Sequence, residues 1–272
     1  MAGSRIVMEN PAVKSVERMD NVRTKITGVS IILPTLNEAG NIASLVQSTV
    51  AALQQAGINA IEIIVVDDDS PDRTWEIASN VVCPPAIVEV IRRMENHGLT
   101  ASLSAGIVAA RQPVIVWLDC DFSHPPERIP QMLYMLDQGF DVVVNSRYVV
   151  GGGEDRRGEW GAMQMFLSLS LNWFTRFFLD ASFADYTSGF VAVRREVFQE
   201  IFLRGDYGEY FVDFIFRTLR KKYKVCELPY LAMPRRSGES KTGTNLIQFL
   251  RRGRKYIGTV LGLRLATIFG RL

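Results

Sequence analysis

Cysteine is scarce in this chain. Cys83, Cys120 and Cys226 are the three in 272 residues, far apart and with no C-x-x-C pair. An odd, dispersed set supports neither a disulfide framework nor a zinc knuckle, and reduced thiols facing a cytosol-like compartment are expected. Long apolar runs are also missing. No stretch of about 18 clean apolar residues occurs, which argues against a standard membrane-spanning helix. Residues 1–27 mix charges with small polar residues and lack the apolar core of a signal peptide, so a loose N-terminal tail is expected. The formal net charge is only +2, too small to make a case for a nucleic-acid partner. There is no P-loop G-x-x-x-x-G-K-[ST], no strand–G-x-G-x-x-G–helix fingerprint and no G-x-S-x-G elbow. Internal repeats and low-complexity tracts are absent as well.

What is present is alternation. At 47% hydrophobic the chain can bury a large core. "GVSIILPTLNE" (28–38) reads as a β-branched strand stopped by Pro34, and the helical spacing that follows ends at Gly57. "AIEIIVVDDDSPDRTWEIASNVV" repeats the form, with Ser70-Pro71 opening the helix. "AIVEVIRRMENHGLTASLSAGIVAA" and "PVIVWLDCDFSHPPERIPQMLYMLDQG" supply a third and a fourth unit, and "FDVVVNSRYVV" a fifth strand. Strands alternating with helices imply an α/β fold, a mostly parallel sheet covered on both faces. Ligands in such sheets bind beyond the carboxyl ends of the strands. Those ends carry Pro34 to Glu38, Asp67 to Asp69, Asp119 to Asp121 and Ser146 to Tyr148. A boundary is expected near Gly151 to Gly153. "DYTSGFVAVRREVF" (185–198) reads as a sheet edge returning under the site, with Asp185 and Ser188 shaping one side of it.

Asp119 and Asp121 lie two positions apart, so extended backbone would point both carboxylates to one face. Side by side they repel unless a cation lies between them, and a hard divalent ion shared with a ligand's phosphates fits. A solvated acidic loop capping the next helix is the competing reading. His124 is either a further ligand or a neutral loop histidine, and neutral imidazole matches Mg2+ poorly. Asp69, Ser70 and Asp72 fit a helix cap. Asp68 lies deeper, where it could hold a base or a ribose hydroxyl, and Glu38 reads equally as a helix-start acid. From Arg235 to Lys255 seven basic residues meet one acid, Glu239. Beside apolar stretches, such a cluster suits an anionic membrane surface or a lipid phosphate as well as a solvated face.

Six motifs in order, "VSIILPTLNEAGNI", "EIIVVDDDSPDRTWEIA", "IRRMENHGLTASLSAGI", "WLDCDFSHPPERIPQML", "VVNSRY" and "RSGESKTG", give the stretch from about Gly28 to Arg254 a resemblance to the dolichol-phosphate (polyprenol-phosphate) mannose synthases of the inverting glycosyltransferase family 2. The resemblance implies a GT-A (Rossmann-like) fold, a GDP-mannose donor, Mg2+ or Mn2+, and a polyprenyl (dolichyl-type) phosphate acceptor. The chain is expected to divide into a tail at 1–27, a catalytic domain at 28–244 and a basic amphipathic segment at 245–272. Pro34, Leu36 and Glu38 match nucleotide contacts, although many members carry an aromatic residue at Leu36. Val66 and Asp68 match the base and ribose positions. Asp119, Cys120, Asp121 and Ser123 match the metal-and-diphosphate loop, with Asp119, Asp121 and Ser123 toward the metal. Arg147, Arg235 and Lys241 match cations facing phosphates. With the two aspartates they form the expected catalytic set, and Arg147 and Arg235 also reach the donor. An arginine common in the family after the tryptophan aligned with Trp160 stands here as Gln164, and Arg156 or Arg157 is available to replace its charge.

The activity so implied is inverting transfer of mannose to polyprenyl phosphate. The acceptor is already an anionic nucleophile, so the reaction needs positioning and charge neutralisation more than a strong general base. Residues 162–179 read equally as one or two helices lying at a bilayer interface and as a buried core helix, and 245–272 is expected as a basic amphipathic segment attached peripherally to the cytosolic face of a membrane, in a setting that allows an integral-membrane partner subunit. The alternatives are transfer of glucose or another sugar to the same kind of lipid phosphate, and a non-catalytic nucleotide-binding membrane protein.

Overall fold

The computed structural model describes residues 24–155, 159–236 and 246–270; its side-chain description covers 24–155, 165–236 and 253–270. Its centre is a sheet of seven strands. In chain order these are β1 (Gly28–Thr35), β2 (Ala60–Asp67), β3 (Ile87–Arg92), β4 (Val114–Trp117), β5 (Val142–Ser146), β7 (Val191–Arg194) and β8 (Val225–Pro229). Their spatial order is β3-β2-β1-β4-β7-β5-β8. All pairings are parallel except those of β7, which runs antiparallel to both β4 and β5. The segment read as a sheet edge is therefore an inner strand. Val191, Ala192 and Val193 are wholly buried, as a strand covered on both faces requires. A short parallel pair, β6 (Gly153–Glu154) with β9 (Leu231–Ala232), follows the glycine turn at 151–153.

The apolar strands feed two cores by simple alternation. Ile31, Leu33, Ile63 and Val65 point to a core shared with the helices α1 (Ile42–Gln55) and α4 (Ile129–Asp137). Ile32, Ile64 and Val66 point the other way, to a core shared with α3 (Leu99–Ala109) and α6 (Glu209–Arg220). Trp117, wholly buried at the end of β4, anchors this second core. Its indole N–H donates to the Tyr210 hydroxyl at 2.9 Å, and its ring meets Phe214 edge-on at 5.7 Å. Glu62, near the start of β2, lies at the far pole, where Ser30, the Arg111 N–H and the Arg111 guanidinium satisfy it.

The short helix α2 (Thr74–Ser79) begins three residues after Pro71, later than the sequence suggested. Of the stretch expected as one or two helices, residues 162–178 belong to a single helix, α5 (Glu159–Phe178). The last helix, α7 (Leu246–Ile268), packs against α6 and α5, and its Val260 and Leu263 are buried in the second core. Among the described residues no helix is long and apolar enough to cross a membrane.

Candidate active site

Parallel strands deliver their carboxyl ends to one rim, and the antiparallel β7 delivers the turn before it, Asp185 to Phe190, to the same place. Register places Thr35 opposite Asp67, Asp67 opposite Arg92 and Ile32 opposite Trp117. A cavity of about 390 Å3 opens beyond β1, β2 and β4, and Pro34, Leu36, Glu38, Asp68, Asp119, Cys120, Asp121 and Arg235 are among the residues that line it. Of the other sequence-derived residues, Val66 is fully buried in the second core, with its carbonyl near the Thr35 hydroxyl, and Ser123 and Arg147 line a neighbouring cavity.

The acidic run at the end of β2 divides its labour. Wholly buried Asp67 accepts from the Thr35 hydroxyl and from the Ser70 N–H and hydroxyl, fixing the turn. Ser70, Thr74 and Asp72 then accept the N–H groups of Asn37, Glu38 and Ala39 at about the same length, 2.9–3.0 Å. The cavity's floor loop is therefore held by its neighbour's side chains. Asp72 also accepts the Thr74 N–H at the start of α2, and Asp69 pairs with Arg92 on the surface at 2.5 Å. Asp68 reaches across to α3: it accepts the Gly98 N–H at 2.6 Å, the Ser102 hydroxyl at 2.7 Å and the Arg93 guanidinium at 2.6 Å. Gly98 has φ 145°, a backbone that side chains strain, so glycine suits this approach. Arg93 and Ser102 escaped the sequence reading because nothing in their spacing ties them to Asp68.

Extended backbone does not persist through Cys120. β4 ends at Trp117, the chain turns, and Phe122 has φ 65°. Asp119 and Asp121 still line one cavity, in different states. Asp119 is exposed. Asp121 is 3% exposed, accepts the Ser123 N–H at 2.9 Å and hydroxyl at 2.6 Å, and pairs with Arg235 at 2.7 Å. Burial alone would raise its pKa; Arg235 and the two Ser123 bonds outweigh burial and hold the carboxyl below its ordinary value. Arg235 also stands 3.6 Å from Glu38, whose carboxylate accepts from Asn41. His124 is structural. Its Nδ1 accepts the Asp119 N–H at 3.0 Å while its ring stacks on Phe190.

Beside this cavity lies a second, of about 240 Å3, lined by Arg147, Ser168, Leu171, Thr187, Tyr230 and Tyr256 among others. Leu99, Asp119 and Tyr207 line both. Arg147 is buried and forked onto Asp185 through two 2.8 Å bonds, with further bonds to Glu154 at 2.5 Å and Thr187 at 2.7 Å. Burial opposes its charge, and Asp185 more than compensates, so the pKa stands well above the usual value. Asp185 is pulled down in return: desolvation raises it, and Arg147 lowers it by more. One guanidinium thus faces two carboxylates, and Arg147 brings this cavity geometry rather than net positive charge. Burial pushes Tyr148, which bonds Glu154 and Ser168, up to about 12. Lys241, Arg156 and Arg157, and the side chains of Trp160 and Gln164, lie outside the described residues.

Asp119, Asp121 and the Ser123 hydroxyl form a donor set of hard oxygens that suits Mg2+ or Mn2+ when diphosphate oxygens complete it. Among the described residues, no three His, Cys, Asp or Glu side chains cluster as a ligand set on their own.

A mixed sheet flanked by helices, with an acidic loop on the rim beside a nucleotide-sized cavity, is the GT-A arrangement of glycosyltransferases. The profile of glycosyl transferase family 2 matches residues 30–202; the chain belongs to that family and is a glycosyltransferase. It is related to the polyprenol-phosphate sugar transferases. It is 37% identical over 227 residues to a dolichol-phosphate mannosyltransferase of Pyrococcus furiosus, covering 82% of this chain but 62% of that protein, so it spans less than two thirds of that relative. Identity is 34% to the polyprenol monophosphomannose synthase of Mycolicibacterium smegmatis, over 79% of this chain and 82% of the relative. In fold it is similar to mannosyl-3-phosphoglycerate synthase from Rubrobacter xylanophilus, with TM-score 0.65 and 19% identity over 98% of this chain and 82% of that one.

Proposed function

We propose that the protein transfers mannose from GDP-mannose to a polyprenyl phosphate, with inversion, to give a polyprenyl-phosphate mannose. The observation that carries this reading is the pair of cavities meeting at Asp119, Leu99 and Tyr207. The first, with Glu38, Asp68, Asp121 and Arg235, suits the nucleotide and its diphosphate. The second suits the acceptor, whose phosphate oxygen attacks the anomeric carbon as the bond to GDP breaks on the opposite side. The incoming nucleophile is already an anion, so the reaction needs no strong general base, and Glu38, Asp68, Asp121 and Asp185 are each paired with an arginine.

A divalent ion held by Asp119, Asp121 and Ser123 would neutralise charge developing on the leaving diphosphate. Arg235 is placed to bind the same diphosphate, with the fork geometry that phosphate oxygens prefer. Glu38 and Asp121 orient that guanidinium, and Asp68 fixes the start of α3 against the cavity wall. Arg147, locked between Asp185 and Glu154, shapes the acceptor side.

The acceptor's lipid tail would land beside two exposed apolar stripes. Phe166, Leu169, Trp173 and Phe177 form one exposed stripe on α5, and Ile257, Leu261, Leu265 and Phe269 another along α7 and its end. The two helices touch, and exposed Arg254, Lys255 and Arg264 flank the second stripe. Apolar stripes bordered by cations suit a peripheral helix pair lying in an anionic membrane surface.

The curated relatives agree on the kind of acceptor more than on the sugar. An undecaprenyl-phosphate 4-deoxy-4-formamido-L-arabinose transferase is 29% identical to this chain, so transfer of another sugar to the same lipid phosphate is the second reading. A donor-by-acceptor assay decides: labelled GDP-mannose, UDP-glucose and UDP-linked arabinose derivatives, each with polyprenyl phosphates of several lengths and Mg2+ or Mn2+. Mannosyl lipid formed from GDP-mannose alone supports the proposal. Turnover with a different nucleotide sugar favours the second reading, and no turnover with any pair would refute a polyprenyl phosphate as the acceptor.

A further inference from the structure

Arg235 does something in the free protein that a phosphate-binding residue need not do. Asp121 is almost wholly buried, and a carboxylate so placed is costly unless it is paired. Its Oδ1 is taken by the Ser123 N–H and hydroxyl, and its Oδ2 faces the Arg235 guanidinium at 2.7 Å. The other end of the same guanidinium lies 3.6 Å from Glu38, so the side chain joins the acidic loop to the floor loop beside the cavity. The backbone beneath it is tied to the acidic loop by two hydrogen bonds: the Met233 N–H donates to the Ser123 carbonyl at 3.2 Å, and the Arg236 N–H to the Asp121 carbonyl at 3.0 Å. The main chain is fixed there, and the long side chain is the part free to swing.

We infer that Arg235 is a resident cation that occupies the metal's place on Asp121 until a diphosphate draws it away, so that divalent metal and nucleotide sugar bind as a coupled pair. The inference rests on the metal reading given above. A divalent ion and a guanidinium repel if both crowd one carboxylate oxygen. A metal arriving alone must displace Arg235 from its 2.7 Å pairing with Asp121 and leaves it only the longer 3.6 Å contact with Glu38. A metal arriving with a diphosphate supplies another anion, and the guanidinium transfers from Asp121 to phosphate oxygens with its hydrogen bonds kept. Each ligand therefore strengthens binding of the other, as linkage requires.

The test measures Mn2+ binding to the full chain without nucleotide, by the loss of the free Mn2+ electron paramagnetic signal. Arg235→Gln is expected to bind Mn2+ about tenfold tighter than the unsubstituted protein, because the competitor is gone. Added GDP should then tighten Mn2+ binding less in the variant than in the unsubstituted protein. Placing Asp119→Ala on the Arg235→Gln background should abolish the gain, locating it at this loop. Circular dichroism and a thermal midpoint accompany each variant. Should Arg235→Gln fail to fold, Arg235→Met decides, since it keeps an unbranched side chain without the charge and should likewise leave Mn2+ binding about tenfold tighter. Equal or weaker Mn2+ binding by a folded Arg235→Gln overturns the inference while leaving the metal reading intact. Absence of Mn2+ binding by either protein, even with GDP, overturns both.

Discussion

Glu227, in β8, offers a sharp test of the buried network behind the second cavity. It is 1% exposed, and its two oxygens accept the Ala184 N–H at 2.7 Å and the Asp185 N–H at 3.0 Å, so it holds the turn that presents Asp185 to Arg147. Desolvation is the largest influence on it. The hydrogen bonds from Ala184, Ser146 and Asp185 oppose that influence and the Asp185 charge adds to it, and together they raise its pKa from 4.5 to about 7. Between those two values the native chain keeps a proton that the unfolded chain gives up. The contribution to stability is complete below pH 4.5 and is lost as pH rises through about 7. At about 1.4 kcal/mol per unit, the loss is about 3 kcal/mol. Asp121 and Asp185, held below the ordinary value, act in the opposite sense, losing stability as pH falls through their native values, which lie under this window. Glu227→Gln imitates the protonated carboxyl but sets one amide N–H against a backbone N–H. That adds a penalty of about 1–3 kcal/mol that does not vary with pH. The informative quantity is therefore the slope. Urea unfolding of both proteins, followed by tryptophan fluorescence from about pH 4.5 to about pH 8, should show the wild-type advantage over the variant shrinking by about 3 kcal/mol. Parallel curves, agreeing within about 0.5 kcal/mol across that range, would refute the assignment of a proton to Glu227.

Asp119→Asn should cut turnover about 100-fold or more while leaving the urea midpoint unchanged, because this carboxylate is exposed; full activity at limiting metal would remove it from the reaction. Gly106→Ala should cost about 1–3 kcal/mol of stability, since α3 crosses β1 so closely that a methyl there would lie 2.5 Å from Ile32 Cγ2; an unchanged midpoint would show that Ile32 moves freely. The membrane reading is best tested on the surface, because deleting 245–272 would also remove Val260 and Leu263 from the core. Trp173→Glu together with Phe177→Glu should abolish flotation with anionic vesicles at an unaltered thermal midpoint, and continued flotation would reject the α5 stripe as an anchor.

Much of this architecture was legible because the signals were local and repeated. Val114 to Trp117 could be read as a buried strand from its own residues, and the rule that ligands gather beyond strand ends then selected Glu38, Asp68, Asp119 and Asp121, all of which line one cavity. The antiparallel return of β7 was not legible. Val191 to Val193 have the same apolar character whichever way the strand runs, and only pairing with β4 and β5 assigns a direction. The roles within the site were equally hidden. Asp67, Asp68 and Asp69 are adjacent and chemically identical, yet one closes a turn, one holds a helix start and one pairs at the surface.

Composition and periodicity by themselves determined the fold class, the rim on which the site lies and the residue types that serve it, since these follow from apolar spacing and from the chemistry of each side chain. Tertiary structure decided the partners: Arg235 on Asp121, Asp185 and Glu154 on Arg147, His124 behind Asp119. Ion pairs and hydrogen bonds act over about 3 Å, and only the folded backbone decides which of many possible partners, near or far in sequence, come to that distance.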